Sequence, residues 1–188
     1  MTRMLIIGPP GAGKGTQAER ICDRLGVPAI STGDIFRENI KQQTELGKEA
    51  QSYTDAGNLV PDSVTNGMVR DRLAQQDVAD GFLLDGYPRT VAQVEELDRI
   101  LAANGVALDV VLLLTADNDE LVTRLLGRAR DQGRTDDTED VIRHRLDVYD
   151  EQTAPVVDVY EQRGIVSRVD GLGSIDDVTE RIMSVLPH

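Results

Sequence analysis

Residues 8–16 read Gly-Pro-Pro-Gly-Ala-Gly-Lys-Gly-Thr, and no other segment restricts the fold so sharply. A short apolar run, Met4–Ile7, comes before it, and a helical stretch from about Lys14 to Leu25 follows. Glycines let the backbone curl until successive N–H groups face one anion. The start of the helix adds its partial positive charge. The spacing Gly8…Gly13-Lys14 is that of a phosphate-binding loop, in which the lysine reaches the β- and γ-phosphates of a nucleoside triphosphate. In the strict motif Ser or Thr follows the lysine; here Gly15 does, with Thr16 next, so no hydroxyl stands at the usual metal-binding place. The bland alternative is a tight turn with an accidental lysine. Its weakness is the strand before and the helix after.

The rest of the chain repeats the alternation. Short apolar runs occur at Pro28–Ser31, Phe82–Leu84, Val110–Leu114 and Ile165–Val169. Five consecutive aliphatics at Val110–Leu114 mark a strand covered on both faces. A helical segment begins at Asp34, with Gly47, Gly57 and Pro61 as punctuation. Further helices are predicted over Val91–Ala103, from an Asp117/Glu120 cap pair to Arg130, from Asp137 onward, and over Ser174–Leu186. Strands alternating with helices predict an α/β fold: a three-layer sandwich of the P-loop NTPase type, with a five-stranded parallel sheet, helices on both faces and right-handed crossovers.

Charge narrows the partners. The net charge is −13, which disfavours nucleic acid and anionic membrane surfaces. A polyanionic ligand would need the cations gathered in one place, and these are 17 Arg against 3 Lys, so planar bidentate donors are plentiful. A compositional habit of the source would produce the same bias. The one cysteine, Cys22, excludes an internal disulfide and a cysteine-rich zinc site, and fits a reducing cytoplasm. The opening apolar run is too short for a secretory leader, and no run reaches a membrane-spanning length.

Three features extend the phosphate argument. Phe82-Leu83-Leu84-Asp85 ends an apolar run on a carboxylate, the place where phosphate-loop proteins hold Mg²⁺ directly or through water, although such an Asp also simply begins a turn. On the helix from Asp137, Val141, Ile142, Leu146, Val148 and Tyr149 form one apolar stripe, and Arg145 falls inside it. An arginine there requires an anion, either a buried carboxylate or a ligand phosphate. Arg124 and Arg128 are four apart on one helix side, either a solvated face or a two-pronged grip on phosphates.

With these residues in view the chain resembles the adenylate kinase family. The matching segments are Gly8–Gln17, Ser31–Asp34 with Arg37, Asp55–Pro61, Gly81–Thr90, Gly127-Arg128, and Gly133–Asp137 with Arg145. They span most of the chain in family order. The resemblance implies reversible transfer of the γ-phosphoryl group of MgATP to AMP, giving two ADP, with roles in adenylate homeostasis and purine salvage. It implies a single kinase domain over 1–188, a mobile AMP-binding part over 31–60 and a short lid over 129–137. Long-lid relatives, some with zinc-ligating cysteines, have more residues after Arg128; only Ala129–Gln132 precede Gly133 here, so no structural zinc is expected.

By the same resemblance, Gly11, Ala12, Gly13, Lys14, Gly15 and Thr16 wrap the ATP phosphates. Arg128 faces ATP, and the backbone of Gly173 touches its base. Thr32 and Arg37 hold AMP, with Arg37 on its phosphate. Asn58, Leu59 and Val60 line the adenine side. Gly86, Tyr87, Pro88 and Arg89 lie against AMP, and Gln93 reads the adenine edge. Tyr87 stands where many relatives have Phe. Lys14, Arg89, Arg124, Arg128, Arg134 and Arg145 gather around the transferring group, Arg134 and Arg145 also closing on AMP. Asp85 holds Mg²⁺ through water. The expected partners are ATP, AMP and ADP, acting on a cytoplasmic monomer without nucleic acid or membrane. The nearest rival is a pyrimidine monophosphate kinase of the same fold, against which Thr32 argues, since those relatives usually carry a small Ala there. A nucleotide-dependent switch is a second rival, but it would not need the second anion site implied by Arg37 and Arg89.

Overall fold

A computed structural model describes residues 2–56, 58, 60–133 and 138–187. In chain order the elements are β1 (Arg3–Ile7), α1 (Lys14–Leu25), β2 (Ala29–Ser31), α2 (Thr32–Lys41), α3 (Glu45–Asp55) and α4 (Asp62–Leu73). A 3₁₀ turn at Gln76–Val78 leads to β3 (Phe82–Asp85), α5 (Val91–Ala103), β4 (Val110–Thr115), α6 (Asn118–Asp131), α7 (Glu139–Gln162), β5 (Val166–Asp170) and α8 (Ile175–Val185). The strands form one parallel sheet in the order β2-β3-β1-β4-β5. The α/β sandwich expected from the sequence is therefore the observed fold.

The pleat divides the core in two. Leu5 lies in register with Leu84 and Val111, and all three join a cluster with Val94, Leu97 and Tyr160. Met4, Ile6, Leu83 and Leu112 point to the other face, against Ile21, Leu121 and Ile182. Alternation along each strand sends neighbours to opposite faces, so a strand buried on both must be apolar throughout. That is why Val110 to Leu114 are all buried. Each such side chain contributes on the order of 1.5–3 kcal/mol relative to exposure.

Beside β1 the chain changes direction: β2 and β3 lie on one side, β4 and β5 on the other. The crevice outside the carboxyl ends of strands at such a reversal is where open α/β sheets take ligands. Gly8 follows β1 there, and Asp85 ends β3.

Several local expectations are revised. Helix α2 begins at Thr32 rather than Asp34, because Ser31 caps it: its Oγ accepts from the Asp34 N–H at 3.0 Å. Gly47 does not break a helix. It lies inside α3, where an added Cβ would meet the Asn39 carbonyl oxygen at 2.2 Å, so it permits α3 to touch α2. The break falls just before α3, around Gln43 at φ 53°. Asp117 caps α6, but its carboxylate accepts from Asp119 N–H, one residue before Glu120. Pro155 lies within α7 without ending it. Gly57, and Asp137 as a helix start, lie outside the described residues; α7 is described from Glu139, with Thr138 as its cap.

Candidate active site

The floor of the crevice is the glycine-rich loop. Gly13 is the N-cap of α1 in the left-handed region (φ 80°), a conformation that β-carbon-bearing residues rarely adopt. It supplies no side-chain cap, so the first N–H groups of α1 are left for a ligand. Gly11 is also left-handed (φ 85°), and a Cβ there would come within 3.1 Å of Leu125 on α6. Ala12 N–H donates to the Pro9 carbonyl at 3.2 Å and closes the turn.

Above this floor opens a cleft of about 580 Å³. Lys14, Arg89, Arg128 and Arg145 all line it, together with Gly11, Gly13, Gly15, Thr16, Gly86, Tyr87 and Pro88. Cations from α1, the β3–α5 loop, α6 and α7 thus converge on one cavity of a chain with net charge −13. Lys14 Nζ lies 2.6 Å from Asp85 Oδ1, so the loop's ammonium and the carboxylate ending β3 form a pair at the cleft. Arg124 does not line the cleft but braces it, its Nη1 donating to the Gly11 carbonyl at 3.4 Å.

Arg145 does fall within the stripe read from the sequence, but the stripe faces the core only in part. Only Ile142 and Leu146 of that stripe are buried; Val141 is 38% exposed and Arg145 is exposed. The stripe is wide because part of it faces the cleft: Arg145, Val148, Tyr149, Gln152 and Thr153 all line it. Apart from Arg145, these α7 positions carry no phosphate-binding signature. Their signal was their spacing from Arg145 by three, four, seven and eight residues along one helix side.

The β3–α5 loop is built around Gly86, at φ 88°, where an added Cβ would lie 2.6 Å from Thr32 Oγ1. The Gly86 carbonyl accepts from Arg89 Nε at 3.0 Å and from Thr32 Oγ1 at 3.4 Å. The Tyr87-Pro88 peptide is cis. Tyr87 is buried, and its hydroxyl donates to Asn66 Oδ1 at 2.7 Å. Burial, then the nearby Glu96 and Asp62 carboxylates, raise its pKa, which keeps it a donor. Gln93, 7% exposed, accepts from Arg89 N–H at 2.7 Å and donates from Nε2 to Asp62 Oδ1 at 2.9 Å.

Other expected residues are not among those lining the cleft. Arg37 is exposed on α2 and paired with Asp34, and it does not line the cleft. The Ser31 hydroxyl first, and Arg37 second, hold the Asp34 carboxyl below its usual range. Asn58 is exposed and Val60 half-buried, both outside the cleft lining. Gly173 is exposed at φ 114° beside the Arg181 guanidinium. Leu59 and Arg134 lie outside the described residues.

Two features escaped the sequence reading. Gly171 donates its N–H to the Thr115 carbonyl at 2.7 Å, and a Cβ on it would approach the Ala12 carbonyl to 3.4 Å. The loop after β5 therefore rests on the phosphate-loop backbone. Behind it, Thr179 Oγ1 lies 2.7 Å from Gln17 Oε1, Gln17 Nε2 donates to the Ile175 carbonyl at 3.1 Å, and Arg20 Nε donates to Thr179 Oγ1 at 2.9 Å. This buried polar network ties α1 to α8. Residues some 160 positions apart give no local signal of it.

Comparison with known proteins agrees with this geometry. The family model described as adenylate kinase matches residues 6–165. An adenylate kinase of Kocuria rhizophila is 87% identical over 186 residues, covering 99% of each chain. Adenylate kinases of Pseudarthrobacter chlorophenolicus and Micrococcus luteus are 68% and 60% identical, covering 99% of this chain and 97% and 91% of their own. A glycine-rich floor under converging cations, in a sequence matched along almost its whole length by these relatives, goes with a chain that belongs to the adenylate kinase family.

Proposed function

We infer that the chain is a phosphotransferase that moves the γ-phosphoryl group of ATP to AMP, giving two ADP. The observation that carries this reading is the meeting of Lys14, Arg89, Arg128 and Arg145 above the glycine-rich loop. ATP lays its phosphates on the N–H groups of residues 11–16 and on Lys14. AMP lies toward Thr32, Gly86 and Arg89, with Arg37, Asn58, Leu59, Val60 and Gln93 on its side of the cleft.

The AMP phosphate oxygen attacks the γ-phosphorus, and the bond from that phosphorus to the β–γ bridging oxygen breaks. ADP leaves with the electron pair. The nucleophile is already ionised, so no general base is needed, and catalysis consists of alignment and neutralisation of spreading charge. Arg89, Arg128 and Arg145 supply fixed charge at that point, with Arg134 and the Arg124 brace behind them. The Asp85 carboxylate and the Thr16 hydroxyl, both beside the phosphate floor, are hard oxygen donors that suit Mg²⁺. Asp85 would hold it through water. When bound with ATP, the metal neutralises phosphate charge. No helix of the described residues is long and apolar enough to cross a membrane, and the protein is proposed to act as a monomer in the cytoplasm.

Residues 31–60 over AMP and 129–137 over ATP are proposed to close and exclude water, which would otherwise consume ATP. Thr32 favours AMP over pyrimidine nucleotides. A coupled assay with AMP, CMP and UMP side by side tests the acceptor: turnover should be strongest with AMP. Preference for CMP or UMP would reassign the protein to the pyrimidine kinases.

A further inference from the structure

We propose that Asp62 is a specificity-determining residue that locks the polarity of the Gln93 amide; this deepens the reading above and rests on Gln93 meeting the acceptor base. A glutamine amide can present its oxygen and its NH₂ in either order, and the two orders read opposite hydrogen-bond patterns. Here both ends are fixed by partners that tolerate one order only. Arg89 N–H can only donate, so it takes Oε1, at 2.7 Å. The Asp62 carboxylate only accepts, so it takes Nε2, at 2.9 Å. Gln93 is 7% exposed, so a reversed amide would set a donor against the Arg89 N–H inside the protein and a lone pair against the Asp62 carboxylate, which itself is exposed.

The locked amide keeps one N–H and one lone pair for a ligand. Adenine offers a ring-nitrogen acceptor next to an amino donor, which fits that pair. Hypoxanthine and guanine offer an N–H donor next to an oxo acceptor, which needs the reverse. Asp62 would therefore reject 6-oxopurine monophosphates without touching them. It is also the first residue of α4, two positions after Val60 of the segment proposed to line the adenine side, so the lock joins that part of the chain to the loop bearing Arg89.

The test compares AMP with IMP, two acceptors of nearly identical shape, in the intact protein. The ratio of their kcat/KM values is read within one preparation, so loss of folded material cancels. Asp62→Ala should lower the AMP:IMP ratio by about tenfold, the worth of one hydrogen bond to a charged group, while KM for ATP stays within twofold. Asp62→Asn keeps an accepting oxygen for Gln93 Nε2, so it should restore most of the ratio. An unchanged ratio in Asp62→Ala, or no recovery in Asp62→Asn, overturns the proposal. Gln93→Leu separates the two readings. If it too leaves the ratio unchanged, Gln93 does not read the base and the underlying assignment fails. If it collapses the ratio while Asp62→Ala does not, only the lock is refuted.

Discussion

Lys14 and Asp85 satisfy each other at 2.6 Å, which allows an ammonium and a carboxylate to stand at the mouth of a largely apolar sheet. A triphosphate offers Lys14 more charge than one carboxylate does, so binding can redirect it toward the nucleotide. Arg89 is held differently. Its Nε is tied to Gly86 and its backbone N–H to Gln93, while the guanidinium remains on the cleft wall. Arg89→Ala should therefore lower kcat/KM by about 100-fold or more, since one preorganised donor at developing charge is typically worth that much. Its thermal transition should move by only a few degrees, because the side chain is exposed. Turnover within threefold of the parent would remove Arg89 from the reacting centre.

At the scale of elements, contacts between helices decide how the site is framed. Gly47 lets α3 touch α2, and Gly47→Ala would push a methyl into the Asn39 carbonyl. The expected result is a loss of about 1–3 kcal/mol in urea unfolding, with KM for AMP raised more than KM for ATP. Equal changes in both constants would mean that the α2–α3 pair does not shape the AMP side. Helices α4 and α5 are joined by Glu96, which accepts from Arg70 Nη2 at 2.7 Å and Arg99 Nη1 at 2.9 Å. These arginines, Arg70 foremost, hold its carboxyl below the ordinary value of 4.5. A depressed acid stabilises the fold above that value and loses its contribution as pH falls through the folded-state pKa. Glu96→Gln should thus lower Tm by a few degrees at pH 7, corresponding to about 1 kcal/mol at most, because both arginines that pair with it are exposed. The difference should shrink as the pH falls below 4.5 and through the depressed folded-state value; a gap that persisted once Glu96 is protonated would rule out the ion pairs as its source.

For the whole molecule, closure is the remaining question. A bisubstrate dinucleotide that fills both proposed pockets should slow amide exchange in residues 31–60 and 129–137, and unchanged exchange in both would refute closure. Much of the fold was legible beforehand because it depends on near neighbours. Apolar runs such as Val110–Leu114 specify buried strands, and α1 and α5 have the bounds their patterns predict. The phosphate loop was equally legible, since a left-handed glycine at a helix start is a local requirement. Less legible was anything set by which helix meets which. Gly47 looked like a break because sequence does not reveal the Asn39 carbonyl above it, and the surroundings of Arg145 stayed open because periodicity cannot tell a core wall from a cleft wall. The Gln17–Thr179 and Gln93–Asp62 bonds link residues distant in sequence. By itself, then, the sequence determined the glycine-rich strand–loop–helix unit and the α/β class around it, because these follow from backbone sterics and hydrophobic period. Tertiary structure alone decided which cations share the cleft, which side chains hold them and which way the Gln93 amide points, because those depend on distances between elements that no local pattern encodes.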